Sequence, residues 1–164
     1  MLPDVADLLL VQDNPLEAEL MLRPLRDLDP GSRVAVARDG EEALDYLLGR
    51  GAFRHRLGAP LPRLILLEFR MPRVDGIEVL RALRASPRAS TVPVVMLLPA
   101  SDGREVAQCY QVGANSCVLK PVEFAAFYQT IQAIGRYWLG NNLAAGASAG
   151  SPATVGDRRA SGRG

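Results

Sequence analysis

The feature that most constrains the fold is an apolar run at residues 64–67 that ends abruptly in a single acid, Glu68. A short uninterrupted apolar run is typical of a strand buried on both faces of a parallel sheet. Pro72, Asp75 and Gly76 then indicate a loop before a helical pattern begins. The carboxyl end of such a strand is where open α/β sheets bind ligands. Glu68 is therefore the first candidate functional residue.

Four other apolar runs share this character, and a helical pattern follows each of them. Strands are predicted at residues 8–11, 34–37, 64–67, 94–98 and 117–119, and helices at 15–28, 41–48, 75–85, 103–112 and 123–138. The first helix has Asn14 as a natural N-cap and Pro15 at its first position. Buried strands that alternate with helices predict an α/β fold with a five-stranded, parallel, doubly wound sheet.

Composition limits the partners and the compartment. The chain has 164 residues and a formal net charge of +1, so charge indicates neither a nucleic-acid nor a membrane partner. Its first residues lack the basic segment of a signal peptide, and no stretch is apolar enough to span a membrane. Cys109 and Cys117 form no CxxC pair and are interpreted as free structural thiols. A cytoplasmic protein is expected.

The composition changes near the carboxyl end. Residues 1–142 are predicted to form one domain with a sizeable core. Residues 143–164 are rich in Ala, Gly, Ser and Pro and end in a short basic segment. Such a segment cannot bury a core, so a disordered tail is expected.

Several enzyme classes lack their motifs here. There is no GxGxxG after the first strand and no GxxxxGK[ST] anywhere, so the phosphate cradles of dinucleotide-binding and P-loop proteins are missing. Haloacid dehalogenase-type phosphatases need a second acid two residues after the first, and Arg70 stands at that position. We therefore expect a protein that is not an enzyme.

The carboxyl ends of the predicted strands converge on one pocket. They bring together Gln12, Asp13, Glu68, Leu98 and Lys120. Two carboxylates beside an amine can hold a divalent cation through oxygen ligands, with the amine balancing charge. Alternatively, Glu68 and Lys120 form a buried ion pair with no ligand. The pattern alone leaves both interpretations open.

At these residues the chain resembles a receiver domain of two-component response regulators, and in particular the small stand-alone receivers that partner phytochrome histidine kinases. The resemblance covers about residues 7–142, and the connection at residues 51–62 shares it. It rests on residues 8–15 (LLLVQDNP), 38–44 (RDGEEAL), 71–76 (MPRVDG), 113–116 (GANS), 120–122 (KPV) and 137–139 (YWL). It implies the (βα)5 flavodoxin-like receiver fold and a role in phosphorelay signalling.

The resemblance also implies a mechanism. A kinase histidine passes a phosphoryl group to an aspartate at the end of the third strand. Mg²⁺ is held by that aspartate, by an acid pair after the first strand and by the backbone carbonyl two residues after the aspartate, which is that of Arg70 in this chain. A hydroxyl after the fourth strand and Lys120 hold phosphoryl oxygens. An aromatic residue three positions before the lysine swings inward and reports the state.

The chain departs from this pattern at four positions. Glu68 stands at the phosphoacceptor position and Gln12 replaces the first acid of the pair, while Leu98 and Cys117 replace the hydroxyl and the aromatic reporter. Glu68 carries its carboxylate about 1.5 Å further out, and a shift of about 1 Å can cost on the order of a hundredfold in phosphoryl transfer. Asp13, Glu68 and the Arg70 carbonyl are the remaining metal ligands, so Mg²⁺ binding is expected to be weak or absent.

Two roles for Glu68 follow. As a mimic of an acyl phosphate, it would hold an active-like state through the hydroxyl and the aromatic, which are both replaced. As a structural partner of Lys120, it would belong to a pseudo-receiver whose switch is lost. The second role is favoured because acceptor, metal acid, hydroxyl and reporter are replaced together. A regulator that is phosphorylated on a non-standard acceptor is the remaining alternative.

The last predicted helix suggests how such a protein acts. More than half of the chain's aromatic residues lie in it, which exceeds what one core face needs. We expect a homodimer through this helix, and docking to a histidine kinase or a downstream protein. The predicted interface residues are Phe124, Phe127, Tyr128, Ile131, Tyr137 and Trp138.

Overall fold

A parallel sheet forms the centre of the fold, as predicted. The computed structural model describes residues 2–100 and 103–145. The strands are β1 (Leu8–Val11), β2 (Val34–Ala37), β3 (Leu64–Glu68), β4 (Val94–Leu98) and β5 (Ser116–Leu119). They pair in the order β2-β1-β3-β4-β5, and every pair is parallel. The predicted fold class, a five-stranded, doubly wound receiver fold, is confirmed.

Helices cover both faces of the sheet. They are α1 (Pro15–Leu28), α2 (Gly40–Leu48), α3 (Gly76–Ala85), α4 (Arg104–Val112) and α5 (Phe124–Gly135), with a 3-10 helix at Gly51–Arg56 and a π-helical segment at Arg136–Asn141. Successive β1 residues enter different core clusters: Leu9 packs with residues of α2, α3 and α4, whereas Leu10 packs with residues of α1 and α5. This alternation is the two-residue period of a strand that is buried on both sides.

The first turn of α1 is set by its cap. The Asn14 side chain accepts hydrogen bonds from the backbone N–H groups of Leu16 and Glu17, at 3.0 and 3.3 Å. Pro15 occupies the first helical turn, where a missing N–H costs nothing. This cap confirms the predicted helix start, and it places Glu17 beside the end of β1.

The last helix is shorter than predicted. The sequence pattern predicts one helix over residues 123–138, but α5 ends at Gly135 and the chain continues as the π-helical segment. A Cβ at Gly135 would lie 2.8 Å from Leu25 Cδ2, so α1 and α5 touch closely at that position. Beyond it, the N–H of Asn142 bonds the carbonyl of Tyr137 at 2.7 Å, which closes a wider turn.

The connection after α2 is more than the surface loop that its composition predicts. Arg56 is only 1% exposed and its guanidinium lies 3.4 Å from the centroid of the Tyr46 ring. It donates hydrogen bonds to the backbone carbonyls of Asp4, Tyr46 and Pro60. Burial of a guanidinium is tolerated because carbonyl oxygens satisfy its donors. The only histidine, His55, is exposed and pairs with Asp4 at 3.0 Å.

Within residues 2–100 and 103–145, no helix combines the length and the apolar character that a membrane crossing requires.

Candidate functional site

Three strand ends bring their side chains into contact at the carboxyl edge of the sheet. Gln12 follows β1, Glu68 ends β3 and Lys120 follows β5. Glu68 Oε2 accepts hydrogen bonds from Gln12 Nε2 and from Lys120 Nζ, both at 2.8 Å. Gln12 and Glu68 are 2% and 3% exposed, so these bonds form away from water. The geometry contains an ion pair of Glu68 and Lys120, which is one of the two interpretations of the pocket.

Glu17 completes this arrangement, and the sequence analysis missed it. Its Oε2 accepts hydrogen bonds from Lys120 Nζ at 2.9 Å and from Gln12 Nε2 at 3.2 Å. Two donors and two acceptors thus form a closed ring, which we call the strand-end ring: Gln12, Glu17, Glu68 and Lys120. The sequence does contain one signal for the role of Glu17. It lies in the first helical turn after the Asn14 cap, and that turn faces the end of β1.

A hydrogen bond to the oxygen atom of the Gln12 amide determines the orientation of that amide. The backbone N–H of Asn14 donates a hydrogen bond to Gln12 Oε1 at 3.0 Å. With its oxygen bonded in this way, the amide presents its nitrogen to the carboxylates of Glu17 and Glu68. The same loop that caps α1 therefore also aligns the ring.

Burial and pairing act in opposite directions on the charged groups. Burial raises the pKa of Glu68, and although the bonds from Lys120 and Gln12 oppose this, its pKa lies above the ordinary value. Burial lowers the pKa of Lys120, but its bonds to Glu68 and Glu17 outweigh that effect and its pKa lies above the ordinary value. Lys120 is therefore held as an ammonium ion between two carboxyl groups.

The side chains of two predicted metal-site residues, Asp13 and Arg70, lie outside the strand-end ring. The Asp13 side chain is half-buried and bonds none of the residues that the structure describes. The Arg70 side chain is exposed and pairs with Glu105. Within the described ranges, no group of three or more His, Cys, Asp or Glu residues could hold a metal ion, and no buried side-chain N or O atom lacks a hydrogen-bond partner. An amide nitrogen and an ammonium group both donate to Glu68 Oε2, and this donor set does not fit the Mg²⁺ that the fold family implies.

The hydroxyl and reporter positions are also filled differently. Leu98 is fully buried, its side chain has no hydroxyl, and its carbonyl accepts a hydrogen bond from the Lys120 N–H at 2.7 Å. Cys117 is half-buried, and its backbone N–H donates to the Tyr110 hydroxyl at 3.2 Å. Beside it, burial and the neighbouring Cys117 raise the pKa of the Cys109 thiol to about 12. Such thiols are inert at neutral pH.

The predicted dimer residues fall into two groups. Phe127 and Ile131 are buried in the core between α1 and α5, and Phe127 also lines the groove beside the start of α5. Trp138 is half-buried against the same core, and the Tyr128 hydroxyl bonds Asp27 at 2.6 Å. Phe124 and Tyr137 are 54% and 52% exposed. The exposed part of the predicted interface thus contains fewer residues than the six predicted from the sequence.

A groove lies between the strand-end ring and the start of α5. It has a volume of about 450 Å³ and is mostly apolar. Glu17 and Lys120 form its polar end, and its apolar lining includes Leu20, Val122 and Phe124. Val122 is fully exposed. The groove thus joins the ring to an open apolar surface.

Fold, strand-end geometry and sequence signature agree on one family. The profile of the response regulator receiver domain matches residues 8–132, and the chain belongs to this family. Receiver domains are signalling modules of two-component systems.

Individual relatives share most of its length. The chain is 39% identical over 140 residues to the probable methanogenesis regulatory protein FilR2 of Methanothrix harundinacea, covering 85% of this chain and 87% of FilR2. The phosphorylated cyanobacterial phytochrome response regulator RcpA superposes with a TM-score of 0.78 at 28% identity, over 85% of this chain and 98% of that one. The bacteriophytochrome response regulator AtBRR is 40% identical, with a TM-score of 0.65, over 83% of this chain and 96% of that one.

Proposed function

We propose that this chain is an atypical, single-domain response regulator that is not phosphorylated at its strand-end site. In this role it acts in the cytoplasm through contacts with other proteins. The observation that carries the proposal is the hydrogen bonding of Glu68. The residue is 3% exposed, and its Oε2 atom already accepts hydrogen bonds from Gln12 and Lys120. Phosphoryl transfer depends on alignment and on stabilisation of developing charge. A carboxylate bonded in this way is a poor nucleophile.

The partner proposed is a histidine kinase of the phytochrome class, or a protein downstream of it. Support comes from relatives that are phytochrome response regulators by name and cover nearly the same length. The exposed apolar residues beside the ring, including Val122 and Phe124, offer a surface for such a contact. The function would then be binding rather than phosphotransfer.

The decisive experiment is phosphorylation in vitro. The full chain is incubated with acetyl phosphate and Mg²⁺, or with a candidate kinase, and its intact mass is measured. We expect no added phosphoryl group, because Glu68 is held by Gln12 and Lys120 and because Leu98 cannot supply the hydroxyl. A matched variant with Gln12→Asp, Glu68→Asp and Leu98→Thr restores the acceptor, the metal acid and the hydroxyl, and serves as the arm expected to gain a label.

The opposite outcome is equally clear. A label that is stable in acid and maps to Glu68 in the unmodified chain would overturn the proposal and establish the alternative, a phosphorylated regulator with a non-standard acceptor.

A further inference from the structure

We propose that the amide of Gln12 takes the place of a divalent cation, so that the strand-end ring holds its two carboxylates together without Mg²⁺. The inference deepens the proposed function and rests on its assignment of Glu68 as a structural partner. It concerns how the site is neutralised, which is a separate question from whether the site accepts a phosphoryl group.

The donor geometry of Gln12 supports this role. A primary amide has two N–H donors on one nitrogen. Gln12 Nε2 lies 2.8 Å from Glu68 Oε2 and 3.2 Å from Glu17 Oε2, so one atom bridges two carboxylates from different elements. Bridging two carboxylate oxygens is also what a bound cation does.

The alternative orientation of the amide is unfavourable. Gln12 Oε1 accepts the Asn14 N–H at 3.0 Å. A reversed amide would lose this bond, and it would place a carbonyl oxygen against the carboxylates of Glu17 and Glu68. Electrostatic repulsion and a lost donor both oppose that arrangement. The β1–α1 loop therefore keeps the amide nitrogen in the bridging position.

Lys120 supplies the positive charge in the ring. Lys120 Nζ bonds the same Oε2 atoms of Glu68 and Glu17, at 2.8 and 2.9 Å. An ammonium ion and an amide nitrogen thus lie between the two carboxylates. A cation that binds the Oε2 atom of either carboxylate would have to displace these donors. Mg²⁺ also gives up its water reluctantly, and Glu68 lies in a nearly dry position.

The test compares thermal unfolding with and without Mn²⁺ or Mg²⁺ for the full chain and two variants. Gln12→Glu keeps the shape of the side chain but replaces the donor by a third carboxylate in the ring. Gln108→Glu adds the same charge on the exposed face of α4 and is the matched control. Isothermal titration with Mn²⁺ measures binding directly.

We expect the unmodified chain and Gln108→Glu to be unchanged in Tm by either cation. Gln12→Glu should start at a lower Tm and rise by about 3 to 5 °C when the cation saturates it. If Gln12→Glu does not fold, Gln12→Asp is used in the same way, since it also replaces the amide by a carboxylate.

Two results would overturn the inference: Mn²⁺ binding by the unmodified chain that a competing chelator abolishes, or no cation response in a folded Gln12→Glu variant. These outcomes are distinguishable from failure of the proposed function. A phosphoryl label on Glu68 tests the acceptor, whereas Mn²⁺ binding without a label contradicts only the role of Gln12.

Discussion

At the scale of single residues, the chemistry of this receiver is determined by four side chains that satisfy one another. Glu68 and Glu17 provide the acceptors, while Gln12 and Lys120 provide the donors. Gln12 and Glu68 depart from the family pattern, whereas Lys120 keeps the family residue. In the proposed function, these four side chains form a ring that holds its two carboxylates without a ligand.

Removing the ammonium should be costly. In Lys120→Met, two carboxylates remain in the ring with only the Gln12 amide between them. Breaking a buried ion pair by removing one partner costs about 3 to 5 kcal/mol, and we expect the free energy of unfolding to fall by about 3 kcal/mol in urea denaturation. The double variant Lys120→Met, Glu68→Gln should recover part of this loss. A loss below about 1 kcal/mol for the single variant would show that the ring contributes little.

The pKa of Glu68 predicts an unusual pH dependence. Its folded pKa is raised above the ordinary value of 4.5, mainly by burial, so the folded state takes up this proton at a higher pH than the unfolded chain. By linkage, this group adds stability as pH falls from the raised pKa to 4.5 and adds nothing further below it.

Urea denaturation across this pH range, with Glu68→Gln as reference, measures the contribution. The unmodified chain should gain stability relative to the variant as the solution is acidified. Glu19→Gln, on the exposed side of α1, controls for the loss of a surface charge. Relative loss of stability on acidification would contradict the raised pKa.

At the scale of elements, the contact between α1 and α5 supports the ring. Glu17 lies on α1, and Lys120 lies in the segment that leads into α5. The two helices pack on the same face of the sheet through residues such as Met21, Leu25 and Ile131. Their spacing is set where Gly135 approaches Leu25. Changes at this contact, although it is far from the ring, should therefore alter the stability of the domain.

Gly135→Ala tests this packing. A Cβ would meet Leu25 Cδ2 at 2.8 Å and Leu28 Cδ2 at 3.0 Å, so leucine side chains must move. Overpacking of this kind costs about 1 to 3 kcal/mol, which exceeds the gain of about 1 kcal/mol in helix propensity. We expect a lower Tm.

Gly140→Ala is the matched control, because no atom lies within 4 Å of its added Cβ. Its Tm should be unchanged or slightly higher. Equal behaviour of the two variants would contradict a close helix contact at Gly135.

At the scale of the whole molecule, the exposed aromatic residues near α5 remain the predicted route to a homodimer. Phe124 and Tyr137 are exposed, and Val122 extends the apolar surface from Phe124 towards the ring. Aromatic residues that the monomer does not bury are typical of interfaces. The predicted dimer thus depends on fewer residues than the six interface residues predicted from the sequence.

Sedimentation at a protein concentration on the order of tens of micromolar tests this prediction; concentrations in this range detect micromolar dimers. We expect a dimer for the unmodified chain and a monomer for Phe124→Ala, Tyr137→Ala. Leu57→Ala, an exposed leucine after the 3-10 helix, is the control and should remain dimeric. A monomeric unmodified chain would remove the prediction.

The sequence determined the fold almost completely. Buried strands and amphipathic helices follow from local periodicity, and the caps at Asn14 and Asp75 are local hydrogen bonds. The positions of Gln12, Glu68 and Lys120 at one edge also followed, because parallel strands end together. The predicted tail at residues 143–164 lies outside the described residues except for its first three positions.

Only the tertiary structure decided which side chains meet. Glu17 lies in a helix that the sequence predicts, but it enters the ring because the first turn of α1 lies beside the end of β1. Asp13, one residue from Gln12, remains outside it. Arg56 is charged and lies in a Gly- and Pro-rich segment, yet the carbonyls of Asp4 and Tyr46, outside that segment, help it to be buried. These contacts depend on the directions of individual side chains across elements, which periodicity along the chain does not contain.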